Sequence, residues 1–429
     1  MKIQFKLLII LFLIFTVSCK RDRNEKNDFQ KTKTAKEKSI DPVVNVYIEN
    51  SASMIGYIKG NTYFKTDIRE LLTLLNYHYA KKVNLYFINS DIYPINTTDN
   101  LGFITNLTDK TFNVGEIYQS DLNKVFSQVL NKTSTNTLSI LISDCIYSVK
   151  GSASPLSVQK TGIENAYLNK SKKGFNVSSE IVKLNSQFNG IYFDKNNGKH
   201  SLNGEMRPYY MIAMGSDAVL SDLNTKIPFN DGKMSSYSNK LVLTSENFSD
   251  KVYYTLLKTK SDVGRYSYIR EISTKDSKKG IEGIDGGRGK FTFSVGVDFS
   301  AIPVESSYVL NLKNYKVVEG NYKIKSITEV NSATKKNITA PALAILGKKK
   351  VTHYITFEAT SQGQSDLECV LENNIPAWVY ETNTMNDIVQ TIDKNKTFGF
   401  QYLVEGISEA NQLINSKSKN IFEFNIKIK

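Results

Sequence analysis

The chain has 429 residues, 40% of them hydrophobic and 23% charged, an ordinary globular composition in a length that exceeds the usual size of one core. Its 55 Lys and Arg against 42 Asp and Glu give a formal net charge of +13. Residues 1–41 hold ten basic and five acidic residues, and the remaining excess is scattered without a helix-period basic face, which excludes a nucleic-acid footprint as its cause.

Lys2 and Lys6 precede the apolar run Leu7–Phe15, which leads into Thr16-Val17-Ser18-Cys19. Nine apolar residues are too few to span a bilayer and fit a signal-peptide core. The small residue before Cys19 resembles the lipobox of bacterial lipoproteins, with Thr16 where Leu is usual. That resemblance implies a lipoprotein signal peptide over 1–19, lipidation at Cys19, and a mature cell-envelope protein anchored to a membrane. The membrane expected is a bacterial outer membrane, with the protein periplasmic or surface-exposed. Residues 20–41 are polar and charged with one aromatic, and read as a flexible tether. No later run reaches the roughly 18 apolar residues of a membrane span.

From residue 42 strands and helices alternate. The apolar run 43–48 suits a strand buried on both faces. In 66–75, Ile68, Leu71, Leu72 and Leu75 recur at helical spacing behind a Thr/Asp start. A strand follows at 83–88, a helix at 120–130, a strand at 138–142, another at 208–215 and a helix at 216–223. This order predicts an α/β domain over 42–236, a Rossmann-like, mostly parallel sheet with helices on both faces. Beyond it the helical period fades. Short strands at 290–297, 307–312, 322–327 and 351–357 predict a β-rich, sandwich-like domain over 237–429, closed by a helix near 406–415 and a strand at 420–426.

Polar residues gather where the predicted strands end. Glu49, Ser51 and Ser53 follow the first strand, Ser120 starts the second helix, and Asp144 follows the third strand. Ligands of open α/β sheets bind at such carboxyl ends. Carboxylates and hydroxyls from three loops are hard oxygen donors, suited to Mg²⁺, Mn²⁺ or Ca²⁺. Glu49-Asn50-Ser51-Ala52-Ser53, then Ser120 in Tyr118-Gln119-Ser120, then Asp144 in Leu141-Ile142-Ser143-Asp144, resemble the metal-ion-dependent adhesion site of the von Willebrand factor type A (vWA) domain. Met54-x-Gly56 adds to the likeness. The family pattern is Asp-x-Ser-x-Ser, a later Thr and a later Asp, so Glu49 and Ser120 depart from it. The resemblance implies that the two serines and Ser120 reach a divalent ion, that Glu49 and Asp144 bind it directly or through water, and that a partner carboxylate completes the shell.

The other features are weaker. Gly283–Phe291 is glycine-rich but lacks phosphate-loop spacing, and reads as an exposed hairpin; Asp194–Lys199 reads as a turn, its glycine misplaced for a calcium loop. Trp378 reads as a buried aromatic of the second domain. Cys145 and Cys369 fall in different predicted domains, and His78, His200 and His353 have no zinc-site spacing. The expected function is a lipid-anchored envelope binding protein, not an enzyme, that holds a protein or glycan partner through a divalent ion and makes no nucleic-acid contact. The alternatives are an assembly component whose site binds no metal and, less favoured, a metal-dependent hydrolase.

Overall fold

The computed structural model describes residues 40–79, 82–118, 121–147, 156–196, 198–286, 290–360, 365–388 and 393–429. The first sheet is built from Val43–Glu49 (β1), Val83–Ile88 (β2), Ile92–Pro94 (β3), Thr137–Ser143 (β4), Ser178–Phe193 (β5), Lys199–Gly215 (β6) and Tyr237–Leu243 (β7). Its longer helices are Tyr63–His78 (α1), Leu122–Lys132 (α2), Leu156–Lys172 (α3) and Asp217–Lys226 (α4). The strand order is β3-β2-β1-β4-β6-β5-β7.

The mostly parallel sheet expected from the sequence is corrected here. Only β1 runs parallel to its neighbours β2 and β4; every other pairing in the sheet is antiparallel. Connection length decides this. Between β1 and β2, and again on the way to β4, a helix carries the chain back, so those strands align parallel. β5 and β6 are joined by the turn at 194–198 and can only run antiparallel.

Residues of β1 and β4 alternate between two cores, the signature of strands covered on both faces. Val44, Val46, Ile48, Leu138, Ile140 and Ile142 pack with α1 and α4; Tyr47 and Leu141 pack with α2 and α3. The first two N–H groups of α1, which no helical carbonyl can reach, are taken by β5: Tyr63 donates to Gln187 Oε1 (2.9 Å) and Phe64 to Ser186 Oγ (2.9 Å).

The chain then forms Tyr254–Leu256 (β8), Arg265–Tyr268 (β9), Gly280–Asp285 (β10), Thr292–Val297 (β11), Tyr315–Glu319 (β12), Tyr322–Glu329 (β13), His353–Ala359 (β14) and Leu367–Glu372 (β15). Asn383–Thr384 (β16) and Thr397–Phe398 (β17) make a small ribbon, and Phe400–Ile414 (α5) precedes Asn420–Ile428 (β18). Two sheets, β12-β15-β18-β10-β9 and β13-β14-β11-β8, share one apolar core that includes Phe293, Phe357, Leu371 and Phe422. An α/β sheet followed by β-rich sheets is therefore the architecture.

The strand expected at 307–312 is instead a short helix, Ser306–Leu310. The alternation of Tyr308, Leu310 and Leu312 misled: Leu310 is 39% and Leu312 43% exposed, while Val309 is buried. The first sheet also runs past residue 236, since β7 pairs with β5, and α5 packs into the core of α2 and α3. No helix among the described residues is long and apolar enough to cross a membrane. Cys19 and the rest of residues 1–39 lie outside the described residues.

Candidate functional site

β1 and β4 lie side by side in register, Ile48 opposite Ile142, so Glu49 and Ser143 emerge together at their carboxyl ends. The Ser143 hydroxyl donates to Glu49 Oε2 and accepts the Cys145 N–H at 2.8 Å. That turn is strained: Cys145 has φ 53°, alone among the described non-glycine residues in a left-handed conformation. Asp144, the residue before it, is 1% exposed.

Asp144 Oδ1 accepts the Ile146 N–H at 3.1 Å, whereas Oδ2 is buried with no close hydrogen-bond partner among the described residues, the Ser53 hydroxyl lying near the carboxylate. Burial, then the nearby Glu49 carboxylate, push its pKa up to about 7; the Ile146 amide, the Ser53 hydroxyl and the Arg207 charge oppose this. The Ser51 and Ser53 hydroxyls are 3.0 Å apart. Glu49, Ser51, Ser53 and Asp144, four of the five residues read from the sequence, thus belong to one cluster. Ser120 lies outside the described residues; its neighbour Asp121 caps α2 through the Asn123 and Lys124 amides. Among the described residues no three His, Cys, Asp or Glu side chains form a metal-holding group. Any ion here would take two carboxylates and complete its shell with hydroxyls. Asp144 Oδ2, with no close donor among the described residues, fits that donor set, since a buried carboxylate oxygen is rarely left without a donor or cation.

Other residues brace this cluster; the sequence reading noted Gly56 only as part of the likeness and gave Asn50 and Arg207 no role. Asn50, fully buried, donates to the carbonyls of Phe112 (3.0 Å) and Val114 (2.7 Å) and accepts from Asn89 (3.0 Å). It pins the chain at 112–114 against the start of the Ser51–Ser53 segment. Gly56 is required by the hairpin: a Cβ there would sit 2.3 Å from the Phe188 ring of β5. Arg207, on β6, is 1% exposed, its guanidinium 4.2 Å from the Tyr192 ring centre and near Tyr57. The only sequence signal for it was a charge set immediately before the apolar run Pro208–Gly215.

The remaining motifs stay apart from this cluster. Asp194 closes the β5–β6 turn, accepting from the amides of Asn196 and Gly198 and pairing with His200 at 2.8 Å. Asn197, like residues 287–289 of the glycine-rich stretch, lies outside the described residues. Trp378 is half-buried and packs against Phe400, whose helix belongs to the first sheet's core. Comparison with family models, with characterised proteins and with solved structures returned no match.

Proposed function

We propose that the protein is a lipid-anchored cell-envelope binding protein whose vWA-like part holds a protein or glycan partner through a divalent cation, Mg²⁺ or else Mn²⁺ or Ca²⁺. One observation carries this reading: Asp144 Oδ2, buried and without a close hydrogen-bond partner among the described residues, lies in a cluster with Glu49 and two hydroxyls. Glu49 and Asp144 would hold the ion, with Ser51 and Ser53 beside them. A bound ion supplies a positive centre for an oxygen of the partner. The chain's own residues position that centre: Ser143 orients Glu49, and the Ile146 amide fixes the other oxygen of Asp144.

A thermal melt of the chelated protein tests the reading. Adding a cation at 100 times its dissociation constant stabilises the native state by about 2.7 kcal/mol and raises the midpoint. Asp144→Ala removes that response, and partner capture from envelope extract is lost in EDTA. A midpoint unmoved by all three ions would sink the proposal. It would favour the second reading, an assembly component whose site binds no metal, for which the Ser143 hydroxyl already engaging Glu49 speaks.

A further inference from the structure

β6 runs antiparallel to β4 with Tyr210 opposite Ser143. Arg207, three residues earlier on β6, therefore lies beyond the carboxyl end of β4, on the side where Glu49 and Asp144 emerge. Of its donors, Nη2 reaches the Lys396 carbonyl at 3.2 Å, while Nε and Nη1 are buried with no close hydrogen-bond partner among the described residues, the Tyr57 hydroxyl being the side-chain group they approach. No close ion pair joins it to a described residue, although its charge is felt at Asp144. Asp387, beyond the Tyr192 ring, is occupied by the Tyr192 hydroxyl (2.6 Å) and the Lys195 amide (2.9 Å). A guanidinium removed from water with most donors unused is costly unless an anion meets it.

We infer that Arg207 is the oxyanion-binding group of this site, so that the ligand taken at the Glu49–Asp144 cluster carries a phosphate or carboxylate group. The inference rests on the cation reading above through charge balance. Two carboxylates and one divalent ion cancel, leaving the guanidinium charge for the ligand to neutralise. Arginine suits the task because its donors match carboxylate and phosphate oxygens and its charge persists at every physiological pH.

The test measures the melting midpoint of the full chain at constant ionic strength, chelated or Mg²⁺-loaded, against inorganic phosphate and against acetate, with chloride as control. Wild type should show a saturable rise with phosphate or acetate, larger with Mg²⁺, and the responding anion identifies the ligand group. Arg207→Gln should abolish the anion response and keep the Mg²⁺ response. Arg207→Lys, which keeps the charge if the glutamine variant fails to fold, should bind the anion about ten-fold more weakly. No anion response in wild type overturns the inference. So does an equal response in either variant, which marks an adventitious ion only. An Arg207-dependent anion response without any Mg²⁺ response upholds the oxyanion site and sinks the cation reading alone.

Discussion

At Asp144 the folded chain prefers the protonated form, because burial and Glu49 both penalise the charge and raise its pKa to about 7 from an ordinary value of 3.8. Between those two values the native state binds more protons than the unfolded chain, so stability falls as pH rises through this window. Below pH 3.8 both states are protonated and the penalty is absent; above 7 it is complete. In the chelated protein Asp144→Asn should therefore melt above wild type at pH 8, by about 2 °C or more, a shift that reflects roughly 1 kcal/mol. The advantage should shrink towards pH 5. Equal midpoints at both pH values would show that the carboxylate is neutralised by something else. That Glu49, Ser51, Ser53 and Asp144 gather at one end of the sheet was legible, because polar residues set just after buried strands emerge together at their carboxyl ends. Asn50, Ser143 and Arg207 were not, since a polar residue that braces a neighbour has no pattern of its own.

At the scale of elements, the β5–β6 hairpin was the least legible part. Its polar residues are buried in pairs that a single sequence does not display: Glu180 meets Lys240 of β7 at 3.3 Å, and Ser186 caps α1. The reading caught 208–215 alone and so missed the antiparallel half of the sheet. The contact of α5 with α3, by contrast, turns on one glycine of α5. A Cβ on Gly406 would lie 2.7 Å from the Lys160 carbonyl and 3.2 Å from Ile163 Cβ, both on α3. Alanine gains about 1 kcal/mol of helix propensity over glycine. Overpacking against a backbone atom costs about 1–3 kcal/mol, and valine adds more bulk still. Gly406→Val should lower the urea midpoint, and Gly406→Ala should do so less. If alanine raised the midpoint, propensity would outweigh packing and the two helices would not be in such close contact.

Across the whole molecule, the first sheet and its helices are completed by residues from the far end of the chain. A division at 236/237, as the fading helical period suggested, leaves out β7 and α5. Both sit in the core of α2 and α3, through Leu241, Leu243, Phe400, Leu403, Val404 and Ile407, joined by Val379 and Phe398 from the segment before α5. Phe400 stacks on Tyr210 with ring centres 4.1 Å apart, and Lys160 pairs with Glu409 at 2.7 Å. Eight buried apolar side chains at about 1.5–3 kcal/mol each outweigh the roughly 5–15 kcal/mol by which a domain is stable. A fragment of residues 40–236 should therefore fail to fold, binding an apolar dye and showing no cooperative melt. The full chain should unfold in one transition, because Ile40–Lys429 forms one compact unit. A fragment that melted cooperatively near the midpoint of the full chain would show that the returning helix is an accessory. The site at the ends of β1 and β4 would then belong to an autonomous N-terminal domain. If the fragment stays unfolded, the site at the ends of β1 and β4 depends on residues beyond 236, β7 and α5 among them, which lie far from it in sequence and complete the core on the α2–α3 side of its sheet.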